Sequence, residues 1–320
     1  MKLLTLAGAA LAAVAAFAST AQAQDFPNKA VTVVVPFAPG GSNDIVGRYV
    51  ADGLAKIWGQ PVVVENRPGA GASIGSAYVS QADPDGYTLL VGSVTFTMNP
   101  AVQTNLPYDP RADLTPLAML GTTPLVVGIG ASTEAQNFEE FLARAKEGGL
   151  FYAATGPGSV NQFAAELFNQ NAGTDMEVVH YGGGSEAMTD IIGGHVDVYF
   201  GSITQMLPQI RSGQIRGVAV TSAERNEGLP DVPTLTEVGV DNSVVEQWWG
   251  VFAPAGTPDD VVAKLNTDIN AVMDSEEGRA FMARDGGAPM PMTQAEFAEH
   301  VYGEMDKWKA VAEETGITAN

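Results

Sequence analysis

Short apolar runs typical of buried strands alternate along this chain with amphipathic stretches typical of helices. The runs AVTVVVPF (30–37), PVVVEN (61–66) and YTLLVGS (87–93) are short and rich in β-branched residues. Between them, DIVGRYVADGLAKIWG (44–59) and SIGSAYVSQA (73–82) carry apolar residues at helical spacing. This β-α-β-α-β order predicts an α/β fold with a doubly wound, mainly parallel sheet.

The same alternation begins again later, with strand patterns at 149–156, 176–182 and 196–202. Two units of this kind predict two lobes, each with its own sheet, and a ligand cleft between them. The apolar runs PLAMLGTTPLVVGIG (116–130) and EQWWGVFAPAG (246–256) are the candidate connections between the lobes. We therefore expect a discontinuous first lobe, residues 24–124 plus 246–320, and a second lobe, residues 125–245.

Two helices are predicted after the second connection, and we expect both to pack back onto the first lobe. In the first of them, Thr257 is the expected N-cap, with Pro258 at the first helical position. In the second, Phe297, Val301, Met305 and Trp308 recur at helical spacing and predict a buried face. In QWWG (247–250), aromatic packing at the connection is favoured over a ligand contact.

The first 23 residues have the pattern of a cleaved secretory signal peptide. Lys2 supplies a positive charge, an apolar stretch follows, and Ala21-Gln22-Ala23 fits a small-x-small cleavage site. The apolar stretch is too short for a typical membrane helix. The chain has no cysteine, which excludes disulfides, thiol catalysis and a lipid-modified cysteine anchor. We therefore expect a periplasmic protein without a direct membrane anchor.

The chain is strongly acidic, with 16 basic and 37 acidic residues and a net charge of −21. Such a surface repels nucleic acid and anionic lipid, so neither is expected as a partner. The acidity does not exclude a small anionic ligand, because clustered backbone N–H groups can outweigh a diffuse negative field.

Three turns between predicted strands and helices share glycine and serine: PFAPGGSND (36–44), TGPGSVNQF (155–163) and YGGGSEAM (181–188). Each places these residues where the first N–H groups of a helix lack internal partners. The positive end of the helix dipole favours an anion there, and open α/β sheets bind ligands at such turns. The turns therefore predict an anion site, for which ordinary loop chemistry is the alternative at any single turn.

The chain has no complete motif for nucleotide binding, serine hydrolysis or metal binding. The second turn lacks the lysine of a P-loop, and the first lacks the spacing of a dinucleotide turn. GASIG (71–75) matches the nucleophile elbow of serine hydrolases, but RPGAGA separates Ser73 from the preceding strand. The histidines, His180, His195 and His300, are scattered and show no metal-binding spacing. Neither a metal site nor a cofactor is expected.

An ordered series of segments resembles the solute-binding proteins of tripartite tricarboxylate transporters, the Bug-type periplasmic receptors. These segments are VVVPFAPGGSNDIVGR, QPVVVENRPGAGASIG, DGYTLLVGS, LPYDP, GGHVDVYF, IRSGQIRGVAVTSAER, LPDVPTLTEVG and FAPAGTPDDVVAKLN. The resemblance implies a two-lobed type II periplasmic-binding fold that closes over a small organic acid. It also implies delivery to membrane permease subunits, no catalysis, and a protein that acts as a monomer.

The same resemblance implies a set of ligand-binding residues in both lobes. In the first lobe these are Phe37, Ala38, Gly41, Ser42, Ser93 and Thr95. In the second lobe they are Gly156, Ser159, Val160, Asn161, Gln162 and Ser202, with Ser202 at the end that selects the ligand.

The chain departs from many relatives at Gln162 and at Gly201, which precedes Ser202, so the resemblance does not imply which distal group the ligand carries. Gln162 stands where histidine is common, and Gly201 stands where aspartate follows VYF. Two other functions stay open on the sequence alone. One is a ligand-sensing co-receptor that presents its closed form to a signalling protein. The other is a periplasmic hydrolase using Ser73 or Ser42.

Overall fold

A computed structural model describes residues 26–284 and 286–318 of the chain. The expected signal peptide, residues 1–23, lies outside these described residues. The strands are β1 Val31–Val35, β2 Val62–Asn66, β3 Thr88–Ser93, β4 Leu114–Ile129, β5 Phe151–Ala154, β6 Glu177–His180, β7 Val198–Ser202, β8 Arg216–Val220 and β9 Glu246–Pro254.

The helices alternate with these strands over most of the chain, as the sequence predicts. They are α1 Ser42–Trp58, α2 Ser73–Ser80, α3 Val94–Val102, α4 Phe138–Lys146, α5 Val160–Ala172, α6 Gly184–Gly193, α7 Ile203–Arg211, α8 Asp259–Asp274, α9 Glu276–Arg284 and α10 Gln294–Thr315. Gly59 ends α1 in a left-handed conformation, with φ 63°, which glycine adopts without strain.

The strands form one continuous sheet in the order β2-β1-β3-β9-β4-β7-β5-β6, and β8 pairs with β4. β1 is parallel to β2 and β3, and β5 is parallel to β6 and β7. We call the part built on β1–β3 the first lobe and the part built on β5–β8 the second lobe. The parallel β-α-β order predicted for each part is confirmed.

Two long antiparallel strands, β4 and β9, join the two lobes. β4 pairs with β9 as far as Pro124, and from Leu125 onward it pairs with β7. β9 also pairs with β3 of the first lobe. The two apolar runs predicted as connections therefore become one paired ribbon that runs from one lobe into the other.

The aromatic residues of this ribbon are buried. Trp248 is 3% exposed and Trp249 is fully buried. Gly250 leaves room for the Phe297 ring, because a Cβ at Gly250 would lie 2.2 Å from a ring atom. The prediction that the QWWG segment serves packing is confirmed for both tryptophans.

The C-terminal helix α10 packs against α3 and β4 with the predicted buried face. Phe297, Val301, Met305 and Trp308 are all buried. The helix also contacts the second lobe, since the rings of Trp308 and Phe163 form an edge contact with centroids 5.6 Å apart. Helix α10 thus touches both lobes, whereas the sequence predicts packing onto the first.

The N-cap predicted for α8 is wrong. The helix begins at Asp259, and Pro258 occupies the N-cap position. Thr257 lies one residue too early, and its hydroxyl donates to the Pro254 carbonyl at 2.8 Å instead. Thr257 therefore stabilises the turn after β9 and not the end of the helix.

Candidate ligand-binding site

The turn between β1 and α1 is held by a buried carboxylate. Gly40 has φ 82°, and its N–H donates to Oδ2 of Asp44 at 2.8 Å. Arg48 donates to the same oxygen from Nε at 2.9 Å, and the Asn66 amide donates to Oδ1 at 2.8 Å. Asn66 also donates to the Phe37 carbonyl at 3.0 Å. Asp44 therefore ties the turn to its own helix and to β2.

These contacts set the ionisation of Asp44. Burial alone would raise the pKa of its carboxyl group, but the hydrogen bonds from Arg48, Gly40 and Asn66 outweigh that effect and lower it. The side chain is 5% exposed, so the carboxylate is ionised while largely out of water. The charged oxygens of Asp44 accept the hydrogen bonds that hold the turn in place.

In the turn between β5 and α5, a glycine N–H again donates to the side chain four residues later, but here the acceptor is a neutral amide. Gly158 has φ 73°, and its N–H donates to Oε1 of Gln162 at 2.8 Å. Asn161 accepts from the Thr155 hydroxyl at 2.7 Å and donates to the Phe200 carbonyl at 2.6 Å. Asn161 is therefore engaged within the second lobe, whereas the Gln162 amide also donates to the Thr318 carbonyl at 3.2 Å.

The third turn, between β6 and α6, lies against the first. Gly182 N–H donates to Oε2 of Glu186 at 2.7 Å, so here too a glycine donates to the side chain four residues later. Across the cleft, the Gly182 carbonyl accepts from Ala38 N–H at 3.2 Å. The Ser185 hydroxyl donates to the Pro39 carbonyl at 2.7 Å. These two hydrogen bonds close one side of the cleft.

The other side of the cleft is closed by α3 and the loop before α2. Thr95 Oγ1 accepts from Val160 N–H at 3.2 Å, and the Gln103 amide donates to the Pro157 carbonyl at 2.8 Å. Gly71 lies so near that a Cβ there would be 2.2 Å from the Pro157 oxygen. The lobes thus meet backbone to backbone, and the structure is a closed form.

A small polar cavity of about 20 Å³ lies between these contacts. That volume holds little more than one water molecule, so a ligand can enter only after the lobes separate. The residues that line it are Phe37, Gly41, Ser42, Asn43, Thr95, Leu125, Thr155, Val160, Asn161, Gly184, Tyr199, Ser202, Gln205 and Gln247.

Five helices direct their N-terminal ends at this cavity. Ser42 begins α1, Val160 begins α5 and Gly184 begins α6. Ser202 is the N-cap of α7, and Thr95 lies in the first turn of α3. Unpaired N–H groups and the positive ends of helix dipoles favour an anion at such a place. None of the described residues that line the cavity is Lys, Arg, His, Asp or Glu.

Several polar atoms in the lining have no partner within the described part of the chain. They are Oγ of Ser202, Oδ1 of Asn43 and Oε1 of Gln247. Ser202 is 4% exposed and Gln247 is 2% exposed. Buried polar atoms are nearly always hydrogen-bonded, so these three are positioned for a ligand or for water.

The structure brings seven of the sequence-predicted residues into the lining: Phe37, Gly41, Ser42, Thr95, Val160, Asn161 and Ser202. The other five are not in its lining: Ala38, Ser93, Gly156, Ser159 and Gln162. Ala38 instead bonds the opposite lobe, and Gln162 holds Gly158 and donates to the Thr318 carbonyl at 3.2 Å.

Seven lining residues were not predicted: Asn43, Leu125, Thr155, Gly184, Tyr199, Gln205 and Gln247. Three of them, Asn43, Thr155 and Gly184, belong to the three glycine- and serine-containing turns of the sequence. Leu125 and Gln247 come from the ribbon, whose place at the cavity only the folded chain reveals.

Tyr199 is a protonated residue of the lining. Burial raises the pKa of its hydroxyl, which therefore stays protonated.

The hydrolase and metal alternatives gain nothing from the geometry. Ser73 begins α2, and its hydroxyl donates to the Ala70 carbonyl at 2.8 Å and lies 3.2 Å from Oε1 of Gln103. Within residues 26–284 and 286–318, no group of three or more His, Asp or Glu side chains is placed to hold a metal ion.

Comparison with known proteins identifies the family. The family model described as tripartite tricarboxylate transporter family receptor, TctC, matches residues 46–317. This chain belongs to that receptor family. Protein BugT of Bordetella pertussis is 32% identical over 308 residues, which cover 95% of this chain and 94% of BugT.

Solved structures of similar receptors share the fold of this TctC-family chain. The periplasmic binding protein BugD is 30% identical with a TM-score of 0.89, covering 92% of this chain and 99% of BugD. MatC from Rhodopseudomonas palustris, solved with bound malate, is 34% identical with a TM-score of 0.85, covering 89% and 99%. An R. palustris protein solved with adipate is 31% identical with a TM-score of 0.89, covering 92% and 99%.

These relatives confirm the predicted family, the two-lobed α/β fold and the prediction of a solute-binding receptor instead of an enzyme. The chain is a periplasmic solute-binding protein by family. Across the described residues, no helix combines the length and apolar character needed to cross a membrane.

Proposed function

We propose that this receptor captures a small organic carboxylate between its lobes and delivers it to the membrane permease of a tripartite tricarboxylate transporter. The observation that carries the proposal is the convergence of five helix N-termini on one cavity between the lobes, whose described lining has no basic side chain. Backbone N–H groups and hydroxyls suit a carboxylate, which accepts several hydrogen bonds at once. Relatives solved with malate and adipate support the same ligand class.

Closure is the proposed mechanism of capture. A carboxylate that contacts helix ends of both lobes binds the closed form better than the open form, and this difference shifts the equilibrium toward closure. In this structure, hydrogen bonds between Ser185 and Pro39 and between Gln103 and Pro157 join the lobes on either side of the cavity.

The further assignments follow from this role. We place the first lobe at residues 24–124 plus 246–320 and the second at 125–245, because β4 changes partners between Pro124 and Leu125. We place the protein in the periplasm after removal of residues 1–23, without a membrane anchor, as a monomer. N-terminal sequencing of the periplasmic form tests the cleavage, and sedimentation tests the monomer.

A thermal-shift screen tests the proposed ligand class. Ligand-free protein is heated with mono-, di- and tricarboxylates, together with uncharged sugars and cationic amines of similar size. Binding to the native state raises Tm, so at least one carboxylate should raise it while sugars and amines leave it unchanged. A rise with a sugar or amine and with none of the acids would contradict the proposal.

Ser42→Ala tests the assigned helix end. Removing a hydroxyl that donates to a carboxylate should weaken binding by about 1–3 kcal/mol, measured by isothermal titration calorimetry with the best acid of the screen. Ser212→Ala, at an exposed serine after α7, is the matched control and should bind normally. Equal affinity in the two variants would remove Ser42 from the site.

Delivery is tested in cells. Uptake of the labelled acid should require both this receptor and the permease genes. Uptake that persists without the permease, with a transcriptional response that needs the receptor, would favour a sensing co-receptor instead.

A further inference from the structure

A large groove lies at the rim of the cleft, next to the cavity, and we call it the rim groove. Its volume is about 690 Å³. Residues of both lobes line it: Gly40, Ile45, Ser185, Met188, Thr204, Gln205, Pro208, Gln209, Arg211 and Arg284. Gln205 lines the cavity as well, so the two spaces share a wall.

That wall is formed by two turns in contact, one from each lobe. Gly41 and Gly184 line the cavity. Gly40 and Ser185, their neighbours in the chain, line the rim groove. A Cβ on Gly41 would lie 3.4 Å from the Gly184 nitrogen, so the turns touch there. The Ser185 hydroxyl donates to the Pro39 carbonyl at the same contact. When these turns part, the rim groove therefore opens into the cavity.

The rim groove carries positive charge in a strongly acidic chain. Among its described lining residues, Arg211 and Arg284 are charged, and none is Asp or Glu. The whole chain has a net charge of −21. Arg211 ends α7 in the second lobe, whereas Arg284 ends α9, whose Met282 packs in the core of the first lobe. A concave surface lined by one sign of charge concentrates ions of the opposite sign and speeds their association.

Polar atoms without partners lie along α7, which forms one side of the rim groove. Thr204 is 4% exposed, and its Oγ1 has no hydrogen-bond partner in the described part of the chain. The same holds for the buried Oε1 of Gln209, whose amide can present its NH₂ group instead after rotation. Helix α7 rises about 10 Å from Thr204 to the exposed Arg211, so polar groups extend from the cavity wall to the surface.

The other side of the cleft has no comparable charge. A groove of about 490 Å³ lies there beside Gln103, whose amide bonds the Pro157 carbonyl. Its charged lining residues are Asp109, Arg111, Asp306 and Lys309. Arg111 is paired with Asp306. Acidic and basic groups balance on this side, so an anion is attracted more strongly to the rim groove.

Resting on the proposed function, we infer that the rim groove is the entrance of the binding site, where Arg211 attracts the carboxylate of the ligand and is the first side chain to bind it. A guanidinium group can donate two parallel hydrogen bonds to a carboxylate. The carboxylate then passes Gln205 to the helix ends of the cavity while the turns at 36–44 and 181–188 are apart. Closure separates it from Arg211, which therefore acts on association and not on the closed complex.

Stopped-flow kinetics test the entrance, with the carboxylate that binds best in the thermal-shift screen. The fluorescence of Trp248, next to Gln247 of the cavity lining, reports binding. Arg211→Gln should lower the association rate constant about fivefold at low ionic strength and change the dissociation rate constant by less than about twofold, because a charge at the rim acts on association. At about 1 M salt the Debye length is about 3 Å, so the difference should disappear.

Two further variants serve as controls. Lys146→Gln removes the same charge from the last residue of α4, which does not line the rim groove. Its association rate constant should stay within about 1.5-fold of the parent, because the charge removed lies outside the groove. Arg211→Lys keeps the positive charge and should retain most of the parent rate.

The outcomes separate the entrance from carboxylate capture. Equal association rate constants in Arg211→Gln and Lys146→Gln overturn the entrance and leave capture standing. Faster dissociation of Arg211→Gln with unchanged association also overturns the entrance, since Arg211 would then hold the ligand in the closed complex. If no carboxylate binds the parent protein, the proposed function fails and the entrance fails with it.

Discussion

The first-lobe turn, residues 36–44, and the second-lobe turn, residues 155–163, meet one need with different chemistry. In each, a glycine N–H donates to the side chain four residues later, Gly40 to Asp44 and Gly158 to Gln162, both at 2.8 Å. Asp44 is a carboxylate paired with Arg48, whereas Gln162 is a neutral amide that also bonds the C-terminal segment at Thr318. The glycine N–H needs only an oxygen that accepts its hydrogen bond, so a charged carboxylate is not required four residues after the glycine.

The largest expected effect comes from Asp44→Ala. The change removes the acceptor for Gly40, Arg48 and Asn66 together, and it should lower the free energy of unfolding by about 3 kcal/mol. Urea unfolding measures the effect. Asp52→Ala, at an exposed carboxylate of the same helix, is the control and should stay within about 0.5 kcal/mol of the parent. A similar small loss for both variants would mean that Asp44 does not hold the turn.

Gln162→Leu probes the neutral counterpart. Leucine fills a similar volume but leaves Gly158 N–H without its acceptor, so the free energy of unfolding should fall by about 1–3 kcal/mol. Gln170→Leu, on the exposed face of the same helix, also loses a bond to the C-terminal segment and should cost about 0.5 kcal/mol or less. Equal losses in the two variants would place the effect in the C-terminal contact and not in the turn.

Acid separates the two turns further. The pKa of Asp44 is lowered in the folded chain, so its charge stabilises the fold fully above the unfolded value of 3.8. That contribution is lost as the pH falls through the lowered pKa. The stability difference between the parent and Asp44→Asn should therefore be constant from pH 7 to about 5 and shrink below 3.8. The loss of unfolding free energy in Asp44→Asn should be smaller than in Asp44→Ala, because asparagine keeps one oxygen that can accept a hydrogen bond.

The same acid titration of Gln162→Leu gives the contrast. Its stability difference from the parent should not change over that range, because neither residue titrates. A difference that shrinks equally for both variants would show that acid acts elsewhere in the fold.

The smallest effect is expected where the turns meet the opposite lobe. Ser185→Ala removes the hydroxyl that donates to the Pro39 carbonyl across the cleft, without touching the cavity lining. The closed form should lose about 0.5–1 kcal/mol, seen in calorimetry as ligand affinity two- to fivefold weaker with little change in Tm. A change in Tm with unchanged affinity would assign Ser185 to the stability of its own lobe.

The sequence predicted the alternating strands and helices well, because strand and helix periodicities are local. It also marked the three turns, since glycine and serine at a helix start are a local signal. It missed α4, α7 and α9, and it missed α3, where β-branched Val94, Thr95 and Thr97 and an internal Pro100 are unfavourable for a helix. Packing against α10 and the sheet overrides those preferences.

Gln247 could not be predicted as a lining residue for a different reason. It lies beside two tryptophans in a strand that reads as packing surface, and both tryptophans are in fact buried. Only the pairing of β9 with β4 sets which strand residue faces the cavity. Gln162 shows the opposite error. It is a polar residue in a marked turn, but its side chain accepts from Gly158 N–H and does not line the cavity.

The ribbon of β4 and β9 also orders the folding of the chain. Strands β5–β8 lie in one continuous stretch, Phe151–Val220, and pair with each other and with the end of β4. The sheet of the first lobe needs Leu90 opposite Phe252, a contact of very long sequence separation. A contact of that kind needs a long loop to close before it stabilises the fold, and it cannot form before β9 has been synthesised. The second lobe can therefore take shape while the chain is still growing, whereas the first stays incomplete until β9 emerges.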